Sequence, residues 1–236
     1  MISWLTALAV FAGIFTQSLT GFGLALVMMP ILVSLLGIQI AAPLVALIAA
    51  LAEISLLIQY RKSLNIKAVW RVSIASFVTI PLGVFALQWL DEKITTTLLG
   101  VLLIGYALYA LANLTLPTLE HPIWGYSFGL VAGFLSGAYN TPGPAIVIYG
   151  NCRRWQPAEF KSNLQGFFLL NSAMVLISHF WHGNISSDVW HSFLIALPAI
   201  VLGLWLGVRL DSFINPGIFR KLVLVVLIIL GLQLAF

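Results

Sequence analysis

Two short stretches hold most of the polar groups that an apolar chain could turn to chemistry. The first runs through Thr16, Gln17 and Thr20 into Gly21-Phe22-Gly23, and the second is Asn140-Thr141-Pro142-Gly143-Pro144. Both interrupt long apolar tracts. Glycines relax the backbone at Gly21 and Gly23, and Pro142 and Pro144 cannot continue a helix. A new helix is expected after each break, near Leu24 and near Ala145. Its free N–H groups carry about half a positive charge. Such ends bind anions without a fixed cation. The hydroxyl and amide groups of Gln17, Thr20, Asn140 and Thr141 can hydrogen-bond an oxyanion without trapping it, so the chemistry these stretches suit is reversible anion binding. Glycine and proline also kink membrane helices merely for packing, and that plainer reading stands beside it.

Other polar residues extend or limit this picture. Lys161, Gln165, Phe168 and Ser172 follow helical spacing and share one face. Lys161 could draw an anion toward an entrance, or could be an interfacial lysine reaching for water. Asn171, about a quarter-turn away, could bond another helix. Glu53 is the one acid well inside an apolar segment, an expensive placement that raises a functional hypothesis. It could carry a coupling proton, or simply reach water. His179, His182 and His191 lack the carboxylate or cysteine companions of a metal site. Cys152 has no credible histidine partner, and no HExxH or GxSxG occurs. Ser18 and Ser136 read as packing residues. No catalytic residue, metal or cofactor is expected.

The elements that must position these residues follow from composition. Of 236 residues 61% are hydrophobic and 8% charged, against roughly 25% charged in a soluble domain. Mean hydropathy is +1.07. A soluble enzyme, a disulfide scaffold and a nucleic-acid binder are thereby excluded, and the net charge of +4 sits in a few short loops, as at the cytoplasmic face of a membrane protein. Spans of about 20 apolar residues are needed to cross a bilayer. They are expected at 39–59, 68–90, 94–116, 160–181, 189–210 and 216–236. The broken tracts 2–36 and 123–151 are expected to be helical hairpins with arms of about 15–18 residues, short for full spans. No basic stretch precedes Ile2, so the first tract reads as part of the fold, not a cleaved leader.

An offset of 120 residues aligns the halves: Gly13 with Gly133, Gly23 with Gly143, Val69-Trp70 with Val189-Trp190, Gly83 with Gly203, and Leu90-Asp91 with Leu210-Asp211. Thr20 and Asn140 meet at the same offset. A duplication is expected, with residues 1–116 as one membrane repeat, 117–122 as connector and 123–236 as the second repeat. Loop 60–71 carries Arg61, Lys62, Lys67 and Arg71, whereas its counterpart 182–188 has no Lys or Arg. Loop 209–221 carries Arg209, Arg220 and Lys221, whereas its counterpart at 91–93 has one Lys and two acids. Basic loops therefore swap sides between halves, which predicts inverted topology. Loops 60–71, 117–122, 151–161 and 209–221 fall in the cytoplasm, loops 91–93 and 182–188 outside, and both termini come out external. The fold class expected is an all-α polytopic membrane protein of two inverted repeats, each a broken hairpin plus three transmembrane helices.

The glycine-rich tracts Gly13…Thr20-Gly21-Phe22-Gly23…Pro30 and Gly133…Gly137-Ala138-Tyr139-Asn140-Thr141-Pro142-Gly143-Pro144 resemble those of the sulfite exporter TauE/SafE family of anion permeases. The resemblance covers essentially the whole chain and includes Phe160-Lys161-Ser162-Asn163-Leu164-Gln165-Gly166. Asn-Thr-Pro-Gly-Pro departs from the glycine-richer tip usual in that family. The resemblance implies export of a small inorganic or organic sulfur oxyanion from a bacterial cytoplasm. Alternating access would then work around a midplane site at the breaks, with Gln17, Thr20, Gly21, Gly23, Asn140, Thr141, Gly143, Lys161 and Gln165 as candidate substrate residues and Glu53 as candidate proton carrier. An anion channel, and a lipid-carrier translocase or intramembrane enzyme, are the alternatives. A monomer and a homo-oligomer both remain open; the expected surroundings are the lipid bilayer of the inner membrane.

Overall fold

A computed structural model describes residues 2–112, 114–211 and 213–236. The elements are α1 (Ile2–Thr20), α2 (Leu24–Leu36), α3 (Ile38–Tyr60), a 3-10 turn at Arg61–Ser63, α4 (Ile66–Trp89), α5 (Glu92–Leu111), α6 (Ile123–Tyr139), α7 (Gly143–Cys152), α8 (Pro157–Trp181), α9 (Ser187–Leu210) and α10 (Pro216–Ala235). The described residues contain no strand. Short polar side chains start several helices by accepting orphan N–H groups. Asn65 caps α4, Asp91 caps α5, Ser186 caps α9, and Asn215 takes both Gly217 and Ile218 N–H of α10.

Six segments are long and apolar enough to cross a membrane: Ile38–Ser63, Ile66–Trp89, Glu92–Leu111, Pro157–Trp181, Ser187–Leu210 and Gly217–Ala235. They correspond to the six full spans expected. Their outward faces are apolar, with Val78, Leu82 and Phe85 of α4 and Val201 and Trp205 of α9 exposed. Aromatic side chains crowd one rim, where Trp89, Phe180 and Trp181 are each at least 75% exposed. Apolar groups facing out with polar Ser, Asn and Gln facing in is the arrangement a bilayer demands.

Both expected breaks are present, but the arms are unequal: 19 and 13 residues for α1 and α2, 17 and 10 for α6 and α7. The second helix after the break begins at Gly143 rather than Ala145, because Pro144 fits a first helical turn, where its missing N–H is no loss. α5 stops at Leu111 instead of running to Leu116. Residues 114–116 join the extended stretch leading to Pro117, and Arg154 donates to the Leu116 carbonyl at 2.8 Å.

Each hairpin is mounted on a helix of the other half. α6 lies along α4 and α1 along α9, while α5 meets α10 and α3 meets α8. The close approach needs glycine. A Cβ on Gly129, Gly133 or Gly137 would strike the carbonyl of Val72, Ser76 or Ile80, which is the small-residue seam typical of membrane helices. Gly83 and Gly203, 120 positions apart in the sequence, do the same job. A Cβ at Gly83 would strike Phe134, and one at Gly203 would press on Ile14 at 3.1 Å.

The loops gather on two faces. On one, Ser162 Oγ donates to the Tyr60 carbonyl (2.7 Å), the Asn65 N–H to Asn163 Oδ1 (2.8 Å), Lys161 pairs with Asp211 (3.2 Å), and the Leu119 N–H reaches the Cys152 carbonyl (3.1 Å). On the other, the Ile38 N–H donates to Glu92 Oε1 (3.1 Å) and Gln88 Nε2 to Asn184 Oδ1 (2.6 Å). The basic loops and the connector thus share one face, and the loops after α4 and α8 share the opposite one.

Candidate substrate site at the two helix breaks

At the first break the chain leaves α1 through Gly21 (φ 83°) and Gly23 (φ 103°), both left-handed. An L side chain rarely adopts these angles, so glycine is needed here. Gln17 Oε1 accepts the Leu24 N–H at 3.2 Å and so caps α2 across the break. Its amide nitrogen points to Gln165 Oε1 at 3.4 Å, and Gln165 Nε2 donates to the Gly21 carbonyl at 2.8 Å. Two buried glutamines therefore shape the tip. The Val27 N–H bonds Gly23, which leaves the first-turn N–H groups of Ala25 and Leu26 without an acceptor of their own.

At the second break Asn140 itself takes the left-handed conformation (φ 53°), which asparagine tolerates better than most residues. Its side-chain amide donates to the Ala42 carbonyl of α3 at 2.8 Å. Thr141 is 1% exposed and its hydroxyl has no partner. Ile146 N–H bonds Pro142, Pro144 has no N–H, and the N–H groups of Gly143 and Ala145 remain.

Both helix N-termini face one small cavity of about 30 Å³. Gln17, Gly23, Asn140, Thr141, Gly143 and Glu53 line it, so six of the ten residues singled out in the sequence are brought together. The cavity lies at the middle of α8, against Phe168, Asn171 and Ser172. Glu53 is 5% exposed and accepts a short hydrogen bond from Ser172 Oγ. Among the described residues it is the one ionisable side chain lining the cavity. The α2 and α7 dipoles supply positive potential there, and Thr141 supplies a donor in need of an acceptor.

The other four residues lie elsewhere. Gly21 and Gln165 brace the tip from behind through their shared hydrogen bond. Thr20 turns away from the cavity, its hydroxyl 2.9 Å from the Thr16 carbonyl. Lys161 is bound to Asp211 and sits 5.2 Å from the centre of the Tyr60 ring. Asn171 bridges helices, its Oδ1 accepting from Ser76 of α4 and Ser136 of α6. The free N–H groups of Ala25 and Leu26 were not singled out by side-chain chemistry, because backbone donors carry no residue signature; only the break before them marks them. His179 is buried, with Nδ1 3.0 Å from Asn184, and His182 Nδ1 lies 2.7 Å from the Ser178 carbonyl. Among the described residues no three His, Cys, Asp or Glu side chains gather as a metal site.

The model of the family described as sulfite exporter TauE/SafE matches residues 5–234. The chain belongs to that family. It is 26% identical over 230 residues to a probable sulfite/organosulfonate exporter TauE of Cupriavidus necator, covering 94% of this chain and 90% of that protein. It is also 26% identical over 155 residues, 65% of each chain, to a probable inner membrane transporter protein TsaS of Comamonas testosteroni. No solved structure matches. For a TauE/SafE protein, the multi-pass helical fold and a membrane-transport role are as expected from the sequence, and both named relatives are transporters, not enzymes.

Proposed function

We propose that the chain exports a small sulfur-containing anion, such as sulfite or an organosulfonate, by alternating access around the cavity between the two helix breaks. The observation that carries this reading is the unpartnered, buried Thr141 hydroxyl in a cavity faced by two helix N-termini. An anion entering it meets oriented N–H groups of α2 and α7 and a free hydroxyl, and no cation that would hold it too tightly to leave. Gln17, Gly23, Asn140, Thr141 and Gly143 contact or shape the anion's seat. Gly21 and Gln165 hold the first tip in place. Thr20 and Lys161 lie on the way to it. A membrane potential negative inside favours anion exit by about 2.3 kcal/mol per charge per 100 mV, so uniport suffices for export. Glu53 adds the option of a coupled proton.

The two halves, residues 1–116 and 123–236 joined by 117–122, are read as inverted repeats. Support comes from the swap of basic loops and from the matched seams at Gly83 and Gly203. The basic face is assigned to the cytoplasm of a bacterial inner membrane, which makes both termini external. The test is flux of sulfite and of methanesulfonate into and out of proteoliposomes under imposed potential. Saturable, potential-driven flux that falls in Thr141→Val supports the reading. Flux absent from folded protein for both anions, or unchanged in Thr141→Val, overturns it.

A further inference from the structure

Arg220, in the first turns of α10, is a cation without an acid. Its Nε is buried with no partner, and among the described residues the one ion pair is Lys161–Asp211. A buried N–H of a guanidinium left without a partner forgoes a hydrogen bond that water would supply. Its surroundings are built for an anion instead. It lies 5.9 Å from the centre of the Phe22 ring, and Phe22 in turn packs edge-on against Tyr106 with ring centres 6.3 Å apart. Arg220 stands beside the phenols of Tyr106 and Tyr109. Tyr106 is 4% exposed and its hydroxyl also has no partner. A charged donor and a phenol that can donate or accept thus stand next to each other, and among the described residues no carboxylate pairs with the guanidinium.

The cavities around Arg220 share lining residues with one another and with the central one. An open hollow on the basic face is lined by Thr20, Phe22, Asn151, Trp155, Lys161 and Arg220, among others. Thr20, Phe22 and Arg220 also line a second cavity of about 10 Å³. Gly23 and Leu26 line both that small cavity and the central cavity at the helix breaks. Three spaces therefore share walls along the first tip. Arg220 belongs to the outer two and the N-terminus of α2 to the inner two.

We infer that Arg220 and Tyr106 form an oxyanion capture site on the basic face, one step before the central cavity, with the Phe22 ring as the partition an anion must pass. The guanidinium offers paired N–H donors to a sulfonate, sulfite or phosphate oxygen pair. Two weak sites in series, not one deep one, are what throughput requires. The aromatic Phe22 and Trp155 beside it suit the carbon end of an organic sulfonate. The inference rests on the exporter reading, and its test is chosen to separate the two.

The measurement is modification of Arg220 by phenylglyoxal, read by peptide mass spectrometry relative to exposed Arg61, on full-length protein in phosphatidylcholine nanodiscs. Methanesulfonate should slow modification of Arg220 at least fivefold where chloride of equal ionic strength does not. Thr141→Val should keep that protection while losing flux, which marks two sites. If Thr141→Val transports normally and Arg220 is still protected, the central site is overturned and the capture site stands. Arg220→Gln should raise the half-saturating methanesulfonate concentration about tenfold, with most of the loss there and not in the saturating rate, and Arg220→Lys should recover part of it. No protection by methanesulfonate overturns the inference. So does protection by phosphatidylglycerol discs alone, which would make the site a seat for a lipid headgroup.

Discussion

Gln165 Nε2 donates to the carbonyl of Gly21 at 2.8 Å, so a residue of the second half holds the turn that ends the first helix of the first half. The same amide meets Gln17, whose oxygen caps α2. Replacing Gln165 by Leu keeps the volume and removes the donor, leaving the Gly21 carbonyl buried and unsatisfied. The expected cost is about 1–3 kcal/mol, seen as a lower unfolding midpoint in detergent, with flux reduced because the tip is no longer fixed.

Thr141→Val should behave in the opposite way. The hydroxyl has no partner to lose, so thermal stability should be unchanged or slightly raised. If the hydroxyl serves the anion, the half-saturating concentration of sulfite rises about tenfold or more, the worth of a hydrogen bond to a charged group. Unaltered half-saturation would remove Thr141 from the site.

Gly23→Ala places a side chain at φ 103° and within 3.1 Å of Thr16 Cγ2. Destabilisation of about 1–3 kcal/mol is expected. Gly105→Ala is the matching control. It lies inside α5 with open space around the new Cβ, so Ala should stabilise by about 0.5–1 kcal/mol. Parallel melts of the two variants check the sign of each.

Glu53 faces an anion cavity that contains no other ionisable side chain; Gln17, Ser136, Asn140, Asn171 and Ser172 are neutral. A carboxylate there repels the substrate and a protonated carboxyl does not. Binding of methanesulfonate, ionised at every working pH, should therefore strengthen as pH falls. Glu53→Gln keeps an oxygen to accept from Ser172 and cannot ionise, so it should bind well and without pH dependence. Isothermal titration at several pH values tests this, and a pH slope that survives the substitution rejects the role.

Lys161 was a candidate for drawing in substrate, yet its charge is answered by Asp211, with side chains 27% and 30% exposed. Lys161→Ala should change stability by no more than about 1 kcal/mol, and should reduce flux less than Thr141→Val does. A larger flux loss for Lys161→Ala would make its charge, and not only its place beside the entry hollow, part of transport.

The breaks were readable in the sequence because glycine and proline write backbone geometry directly into residue type. Glu53 was readable because an acid among apolar neighbours has few innocent explanations. The partners were another matter. Nothing local to Lys161 announces an acid fifty positions on, and Arg220 looked like one more basic residue marking a membrane face. Its isolation is a property of three dimensions. The seating of α6 on α4 left a trace in Gly125, Gly129, Gly133 and Gly137 at every fourth position, a spacing that marks close helix contact but does not name the helix contacted.

The crossed mounting of the hairpins also sets the order in which this protein is made. When the ribosome has delivered the first half, α1 has no seat, because α9 does not yet exist, and the carbonyl-lined groove of α4 is still waiting for α6. The earliest finished contact between halves is the glycine seam of α6; the closing of α9 over α1 comes late, and the docking of α10 on α5 comes last. Roughly half the polypeptide must therefore wait in the bilayer as an unfinished intermediate, its polar Gln17 and Glu53 unsupported, until synthesis is nearly complete.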